Sequence, residues 1–469
     1  MQKSVLTEIM LSLSKKEVRD LNKWLQSPSH NQREDVVLLF DYLAQNMERN
    51  EPAFEKILAW KAVFPNQPYD DAFMRQVMYF LLKAIEEYLV FNDFSHDKVQ
   101  YQISLTRIYR KRKLEKSYKQ AHRLSTGNLE KQPLRNTYYF LNKYFIEQEE
   151  YEQRLSITQN APVNLQEMAD ALEQWFVLTK LFIGNAMLAH HKVYQKANYD
   201  TGLLNGVLDF VDKQKMLDVP AIASHYYAYM AITNATEKHY FDQLEALIHG
   251  KIAEIFTPSE TTALYLTALN YCAAKVNQGE LEYCRKALKF YELGIEKEFL
   301  LENNKIKRYT FGNPVAFAIK IGEFAWAEQF IERFKHHLDE KEQNSIVNFN
   351  LSRVYFEKGD YDKAQIMLTQ FEYDDMYQNI IAKTMLLKIY HEKEEFDAFE
   401  SLLESMRTYL QRKEALDPAR KAAYKNMISL MKKLLHLNIF SKVQREKFQE
   451  TVLKTHPLAE REWLLKQIE

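Results

Sequence analysis

Apolar residues along this chain recur at intervals of three and four, the period of a helix with one buried stripe. Ser14-Lys-Lys-Glu17 has the spacing of a capping box, and Val18, Leu21, Trp24 and Leu25 follow it until Ser27-Pro28 stops the run. Val36, Leu39, Phe40, Leu43 and Met47 mark a second helix, and Pro52 suits the first turn of a third. From Asp70 to Phe94 two stripes run side by side. One is Phe73, Val77, Phe80, Ala84, Tyr88 and Phe91; the other is Met74, Met78, Leu82, Ile85 and Leu89. An apolar arc that wide predicts burial against more than one neighbour. Asn164 is placed to cap a long helix, and Thr257-Pro258 and Asp417-Pro418 each put Pro at a first helical position. No run of alternating β-branched residues bounded by turns interrupts this pattern. The fold class expected is all-α, with helices of roughly 15–25 residues joined by short loops.

Within the second half the helices repeat. Gly359-Asp-Tyr361-Asp-Lys-Ala364 is followed by Leu368 and Phe371 and preceded by Leu351, Ser352 and Tyr355. Upstream, Gly322-Glu-Phe324-Ala-Trp-Ala327 continues to Ile331 and Phe334, and Gly279-Glu-Leu281-Glu-Tyr-Cys284 continues to Leu288 and Tyr291. A degenerate copy, Glu394-Glu-Phe396-Asp-Ala-Phe399, runs on to Leu403 and Met406. Each copy reads as helix, tight turn, aromatic or Leu, small residue, helix. The turn residue must end one helix sharply, and the small residue lets two helices approach closely.

This pattern resembles the tetratricopeptide repeat, a helix-turn-helix unit of about 34 residues with large and small residues at such offsets. The likeness covers roughly 265 to 410, about a third of the chain, and its best unit is Ser345 to Asp375. The phase points 279, 322, 359 and 394 lie more than 34 residues apart, Asn348 stands where a bulky residue is usual, and Phe399 replaces the small residue. The resemblance implies helix-turn-helix repeats stacked as a right-handed α-solenoid whose concave face holds a protein or peptide. Some relatives of this kind grip a C-terminal carboxylate with Lys and Asn of the first helix. The matching positions here are Phe349 and Arg353, so that clamp is not expected.

The expected organisation is an N-terminal helical domain without repeat signature (1–126), a helical region of weak repeat character (127–264), tetratricopeptide-like repeats (265–410) and C-terminal helices capping the solenoid (411–469). Leu124 to Pro133, which holds the first glycine, is the softest boundary. In the last segment Trp463, Leu464 and Ile468 share one face of a helix from Pro457, which reads as a lid over the terminal core.

Composition sharpens the exclusions. Only 10 Gly and 11 Pro occur in 469 residues, too few for a β-rich fold of this size, and neither GxGxxG nor GxxxxGK[ST] is present. With a net charge of −1, no global pull toward nucleic acid or anionic membrane follows. The start carries Glu8 and no long apolar run, unlike a secretory leader, and the apolar stretch Trp175–Ala189 is broken by Lys180 and Asn185. A cytoplasmic protein without membrane insertion is expected. Cys272 and Cys284 fall at repeat positions that want small residues, which points to packing in a reducing compartment. The pairs His190-His191 and His336-His337 would diverge by about 100° on a helix, there is no HExxH or GxSxG, and the clustered acids read as solvated helix faces. No catalytic, cofactor or metal constellation is expected.

One charged segment remains, Arg107 to Arg123, with eight Lys or Arg and a single acid, Glu115. Read as one helix, it aligns Arg112, Lys116, Lys119 and Arg123 into a basic ridge roughly 16 Å long. Three readings stay open: a face solvated or paired within the chain, an acidic protein partner, or nucleic acid. If the next helix folds back antiparallel, Glu147, Glu149 and Glu150 would approach Arg107 and Arg110. The residues that build the repeat are Gly279, Cys284, Gly322, Ala327, Gly359, Tyr361 and Ala364. The function expected from these features is a non-enzymatic scaffold or adaptor that binds a protein or peptide, with nucleic-acid binding through 107–123 as the alternative.

Overall fold

A computed structural model describes residues 3–47, 54–157, 162–250, 252–369, 375–412 and 416–468. Pro52 and Phe371 lie outside them. Among the described residues there are 24 α-helices and no strand, so the chain is all-α. It divides into two compact units, Met1–Lys180 and Leu181–Glu469.

The first unit opens with α1 (Val5–Ser12), which the sequence pattern did not single out. Ser4 caps it by accepting a hydrogen bond from the Thr7 amide at 3.3 Å, and Leu6 and Met10 are buried. In α2 (Lys15–Gln26) the capping box forms in both directions: the Glu17 amide donates to Ser14 Oγ, and the Ser14 amide donates to the Glu17 carboxylate at 2.8 Å. The Ser14 hydroxyl, donating at 2.6 Å, and the Ser14 amide together hold the Glu17 carboxyl below its ordinary range. With α3 (Glu34–Met47), α4 (Lys56–Val63) and α5 (Asp71–His96) these helices enclose one core, including Leu21, Leu25, Phe40, Trp60, Leu81 and Tyr88. α5 meets all four of the others. Its buried line is narrower than the two stripes suggest, because Phe91 and Phe94 end exposed.

A three-helix group follows: α6 (Lys98–Lys111), α7 (Glu115–Glu130) and α8 (Thr137–Ile157). Val99, Ile103, Leu129 and Ile146 form its core. Two expectations change here. The segment 107–123 is not one helix, since the chain turns between Lys111 and Glu115. Leu124–Pro133 is no break between helices through most of its length, because α7 continues to Glu130 with Gly127 inside it. The division between units falls instead within α9 (Leu165–Val193). Asn164, expected to cap α9, turns its amide back to α8, donating to the Glu147 carbonyl and carboxylate at 2.9 Å each.

The second unit runs through α10 (Leu204–Lys213), α11 (Pro220–Thr233), α12 (Lys238–His249) and α13 (Ile252–Ile255) into four hairpins. These are α14 (Pro258–Asn277) with α15 (Glu282–Glu296), α16 (Arg308–Lys320) with α17 (Phe324–Phe334), α18 (Gln343–Glu357) with α19 (Tyr361–Thr369), and α20 (Met376–Glu392) with α21 (Phe396–Arg412). The helices α22 (Pro418–Leu435), α23 (Lys442–Lys454) and α24 (Arg461–Lys466) complete it. Thr257 and Asp417 cap α14 and α22 with Pro at the first helical position, as expected. The last helix starts at Arg461, not Pro457. The preceding segment is pinned to α22 by Asn426 Nδ2 donating to the Pro457 carbonyl at 2.8 Å, and only then do Leu464 and Ile468 enter the core.

Each hairpin closes on the same turn. Gly279, Gly322 and Gly359 have φ of +94°, +74° and +78°, and Glu394 takes +58° at the degenerate copy. The next residue's amide returns to the carbonyl five back, from Glu280 to Lys275, Glu323 to Ala318, Asp360 to Tyr355 and Glu395 to Tyr390, at 2.8–3.0 Å. This is the Schellman closure, which satisfies carbonyls that a helix end leaves free. Five residues past the turn, Cys284, Ala327, Ala364 and Phe399 are fully buried; seven before it, so are Cys272, Val315, Ser352 and Leu387. Tyr361 packs its ring against Phe356 at 5.7 Å. The same closure joins α6 to α7, with Lys113 at φ +59° and the Leu114 amide on the Tyr109 carbonyl at 3.0 Å.

This packing is open to two tests. A Cβ at Gly359 meets no atom within 4 Å, so Gly359→Ala isolates the backbone penalty of a left-handed turn. It should destabilise by about 1–2 kcal/mol, while Glu394→Gly should be neutral or stabilise by up to ~1 kcal/mol. Urea unfolding midpoints of both variants check this. The second concerns His225 on α11, which is buried between Phe182 and Phe256 with no partner for Nδ1. Burial lowers its pKa to about 4 from an ordinary 6.5. The unfolded chain therefore takes up a proton that the folded one refuses, so stability present above pH 6.5 is lost as the pH falls toward 4. The loss attributable to His225 is about 3 kcal/mol. His225→Leu should flatten the dependence of the unfolding midpoint over that interval, and parallel curves for variant and wild type would refute the assignment.

Candidate interaction site

Several charges on the second helices of the hairpins are answered by neighbours. Lys286 of α15 binds Asp242 at 3.0 Å and Glu245 at 2.7 Å on α12. Arg333 of α17 binds Glu296 at 2.7 Å, and Lys358 binds Glu328 at 2.8 Å. Lys432 of α22 reaches Glu404 at 3.2 Å. Each pair contributes at most about 1 kcal/mol, and Lys289 of α15 stays exposed without one among the described residues.

The first helices differ. α16, α18, α20 and α22, with the segment before α24, enclose a cavity of about 240 Å³. Its charged lining is Arg353 and Glu357 of α18, Lys388 of α20, and Glu460; Ile319, Phe356, Ile381, Thr384, Met385 and Tyr424 supply the rest. Arg353 and Lys388 hold one repeat position, each six residues before the left-handed turn residue of its hairpin. Their environments diverge. Lys388 is largely buried and ion-paired with Glu460, its ammonium lying over the Phe356 and Trp463 rings at 5.8 and 5.9 Å. Arg353 has no carboxylate within 4 Å among the described residues, and its closest polar contact is Asn350 Oδ1 at 3.5 Å. Burial pulls the guanidinium below its ordinary pKa, with Glu357 opposing. It remains a cation at neutral pH. Tyr424 is driven the other way by burial, with Glu460 adding to the effect.

A second recess of about 520 Å³ adjoins the first and shares Ile381 and Tyr424 with it. Tyr309, Tyr377, Ala423 and Ala459 line it, and Arg420 stacks over the Tyr377 ring at 5.2 Å. A wider trough of about 900 Å³ lies beside Leu11, Val18 and Met47 of the first unit, but no buried charge faces it.

The basic segment read from the sequence is rearranged. Arg112 sits at the end of α6, while Lys116, Lys119 and Arg123 belong to α7, so the four do not form one ridge. No Gly or Pro announces this break, and Lys113 takes the left-handed position instead. Turning there lets Thr106, Tyr118 and Ala121 enter the core and puts Glu115 at a helix start, where its charge is favoured. Lys119 is paired with Glu115 at 2.7 Å. Arg107 and Arg110 do meet α8, binding the buried Glu149 at 2.6 and 3.0 Å. They meet it because α8 runs parallel to α6, not antiparallel, as the pairings of Gln100 with Asn142 and Arg107 with Glu149 show. Glu147 binds Asn164 and Glu150 binds Arg154 instead. Lys111, Arg112, Lys113 and Lys116 stay exposed at the hairpin tip, with no carboxylate within 4 Å among the described residues.

Both cysteines are buried free thiols, and burial pushes Cys272 up to about 12 and Cys284 upward. Such thiols are unreactive at neutral pH. His336 and His337 occupy a 3₁₀ turn with ring centroids 4.1 Å apart, so the divergence of an α-helix does not apply to them. Among the described residues no group of three or more His, Cys, Asp or Glu could hold a metal ion, and no helix is long and apolar enough to cross a membrane. The sequence named Arg353 only as a departure from the family clamp. Repeat phase could have paired it with Lys388; nothing in the pattern pointed to Glu460. No family model, curated protein or solved structure matches the chain.

Proposed function

We propose that the protein is a non-enzymatic interaction scaffold or adaptor, a tetratricopeptide-like α-solenoid acting in the cytoplasm, which binds a protein or peptide on its first-helix face. The observation that carries this reading is the contrast between two sides of the same hairpins. Second-helix cations such as Lys286 and Arg333 sit in partly exposed ion pairs with neighbouring helices, whereas the first helices keep two adjoining recesses and, at Arg353, a half-buried cation with no carboxylate within 4 Å among the described residues. Shared turn geometry and fully buried small positions at one phase support the repeat assignment, and unreactive buried thiols accord with a reducing compartment.

A photo-reactive amino acid placed in native cells at Ile381, which is 40% exposed beside the recesses, should yield discrete protein cross-links. The same probe at Ile366, 55% exposed on α19, should not. Equal labelling at both sites, or none at Ile381, counts against the first-helix face.

The exposed hairpin tip favours a second reading, nucleic-acid binding through Lys111, Arg112, Lys113 and Lys116. It requires wild-type protein to retain RNA or DNA at low salt. Arg112→Glu with Lys116→Glu should then reduce the slope of log affinity against log salt by about 2, near one for each phosphate no longer neutralised. Absence of retention by the wild type removes this reading.

A further inference from the structure

An uncompensated cation in a largely buried site is costly to maintain, and proteins normally pair it or expose it. Arg353 is half-buried, with the Phe349 ring 5.8 Å from its guanidinium and no carboxylate within 4 Å among the described residues, and it borders a cavity of about 240 Å³. That space is several times the roughly 30 Å³ share of one water, enough to admit a side chain. The charges around it limit what can enter. Lys388 is taken by Glu460, and Glu357 lies exposed on the turn of α18 beyond Arg353. Glu357 already offsets part of the Arg353 charge, so the guanidinium can answer one further negative charge at most. A phosphate dianion would bring a second charge against Glu357 and Glu460, whereas a carboxylate brings one and matches the planar fork of an arginine.

The adjoining recess asks for different chemistry. Tyr309, Tyr377, Ile381, Ala423 and Tyr424 present rings and methyl groups, and Arg420 is already held over Tyr377. Because the two recesses share Ile381 and Tyr424, neighbouring side chains of one extended segment can fill both.

We infer that the first-helix face binds an extended peptide segment of a partner protein, with an Asp or Glu carboxylate seated on Arg353 and an apolar side chain in the tyrosine-lined recess. This rests on the reading of that face as the interaction surface, and it adds the partner's chemistry. The acid is an internal side chain, fixed in register by the apolar residue beside it. Glu460 contributes by occupying Lys388, so that a single arginine reads the incoming charge.

The test is selection of displayed random peptides on the full-length protein, followed by synthetic peptides. Enriched peptides should share an acidic residue at fixed distance from an apolar one. Replacing that Glu by Gln should weaken binding to wild type at least tenfold and to Arg353→Gln less than threefold, a coupling between the two groups. Arg353→Gln should melt no lower than wild type, since it removes a desolvated charge; if it does not fold, Arg353→Lys takes its place, with a smaller coupling of the same sign. Peptides enriched without a shared acid overturn the inference, as does an equal Gln penalty in both proteins. In either case, loss of binding in Ile381→Glu would show that the face itself still binds peptide. Failure to enrich any peptide also overturns it, and cross-linking at Ile381 then decides separately whether the face takes a larger protein surface.

Discussion

The left-handed residue that closes each helix hairpin is the constraint on which the second unit depends. A positive φ at Gly279, Gly322, Gly359 and Glu394 ends one helix abruptly and aims two amides back at its last free carbonyls. Once the turn is fixed, the phases of both flanking helices are fixed with it. Residues seven before and five after must then face each other at the closest approach, which is why Cys, Ala, Ser and Val fill most of these positions without exposed surface. Glycine lowers the conformational cost of the turn but does not cause it. Glu394 and Lys113 adopt the same geometry with a Cβ because burial on both sides of the hairpin outweighs a strain of about 1–2 kcal/mol.

That distinction explains what could be read in advance. The class was legible throughout, because apolar periodicity and caps are local: Ser14 with Glu17, Thr257 before Pro258 and Asp417 before Pro418 all act as their spacing predicts. Hairpins marked by glycine were legible for the same reason. The α6–α7 hairpin was not, since its turn residue is a lysine inside a run of cations that also suits a continuous helix. Its geometry is set by the burial of Tyr118 and Ala121 and by Leu129 packing with Val99 and Ile103 of α6, a tertiary effect that no window of the sequence carries. Asn164 shows the opposite case. A residue with strong capping propensity was diverted by an acceptor on α8, reached across a loop.

The candidate site was the least legible part, and the reason is again tertiary. Its first-helix residues follow from the repeat phase, but the cavity is closed by Glu460, contributed by a segment without repeat character. Trp463 and Leu464 hold that segment against α20 and the terminal core, and Asn426 fixes it from α22. By its apolar face alone, the segment around Trp463 is a cover for exposed apolar surface. Here the cover also brings a carboxylate, and so changes the electrostatics of the face it borders.

Arg353 and Lys388 make the consequence concrete. They hold one repeat position on successive hairpins, so repetition alone would give them equivalent surroundings. The C-terminal segment reaches only the later one, and Glu460 pairs with it. The earlier cation keeps the same burial from its helices without the same compensation. A regular array would then have presented two like charges about one repeat apart, suited to a polyanionic surface. Ending the series of hairpins with a segment that neutralises the last of them leaves a single guanidinium beside an aromatic recess, so the charge of this face depends on where the hairpins stop as much as on their recurrence.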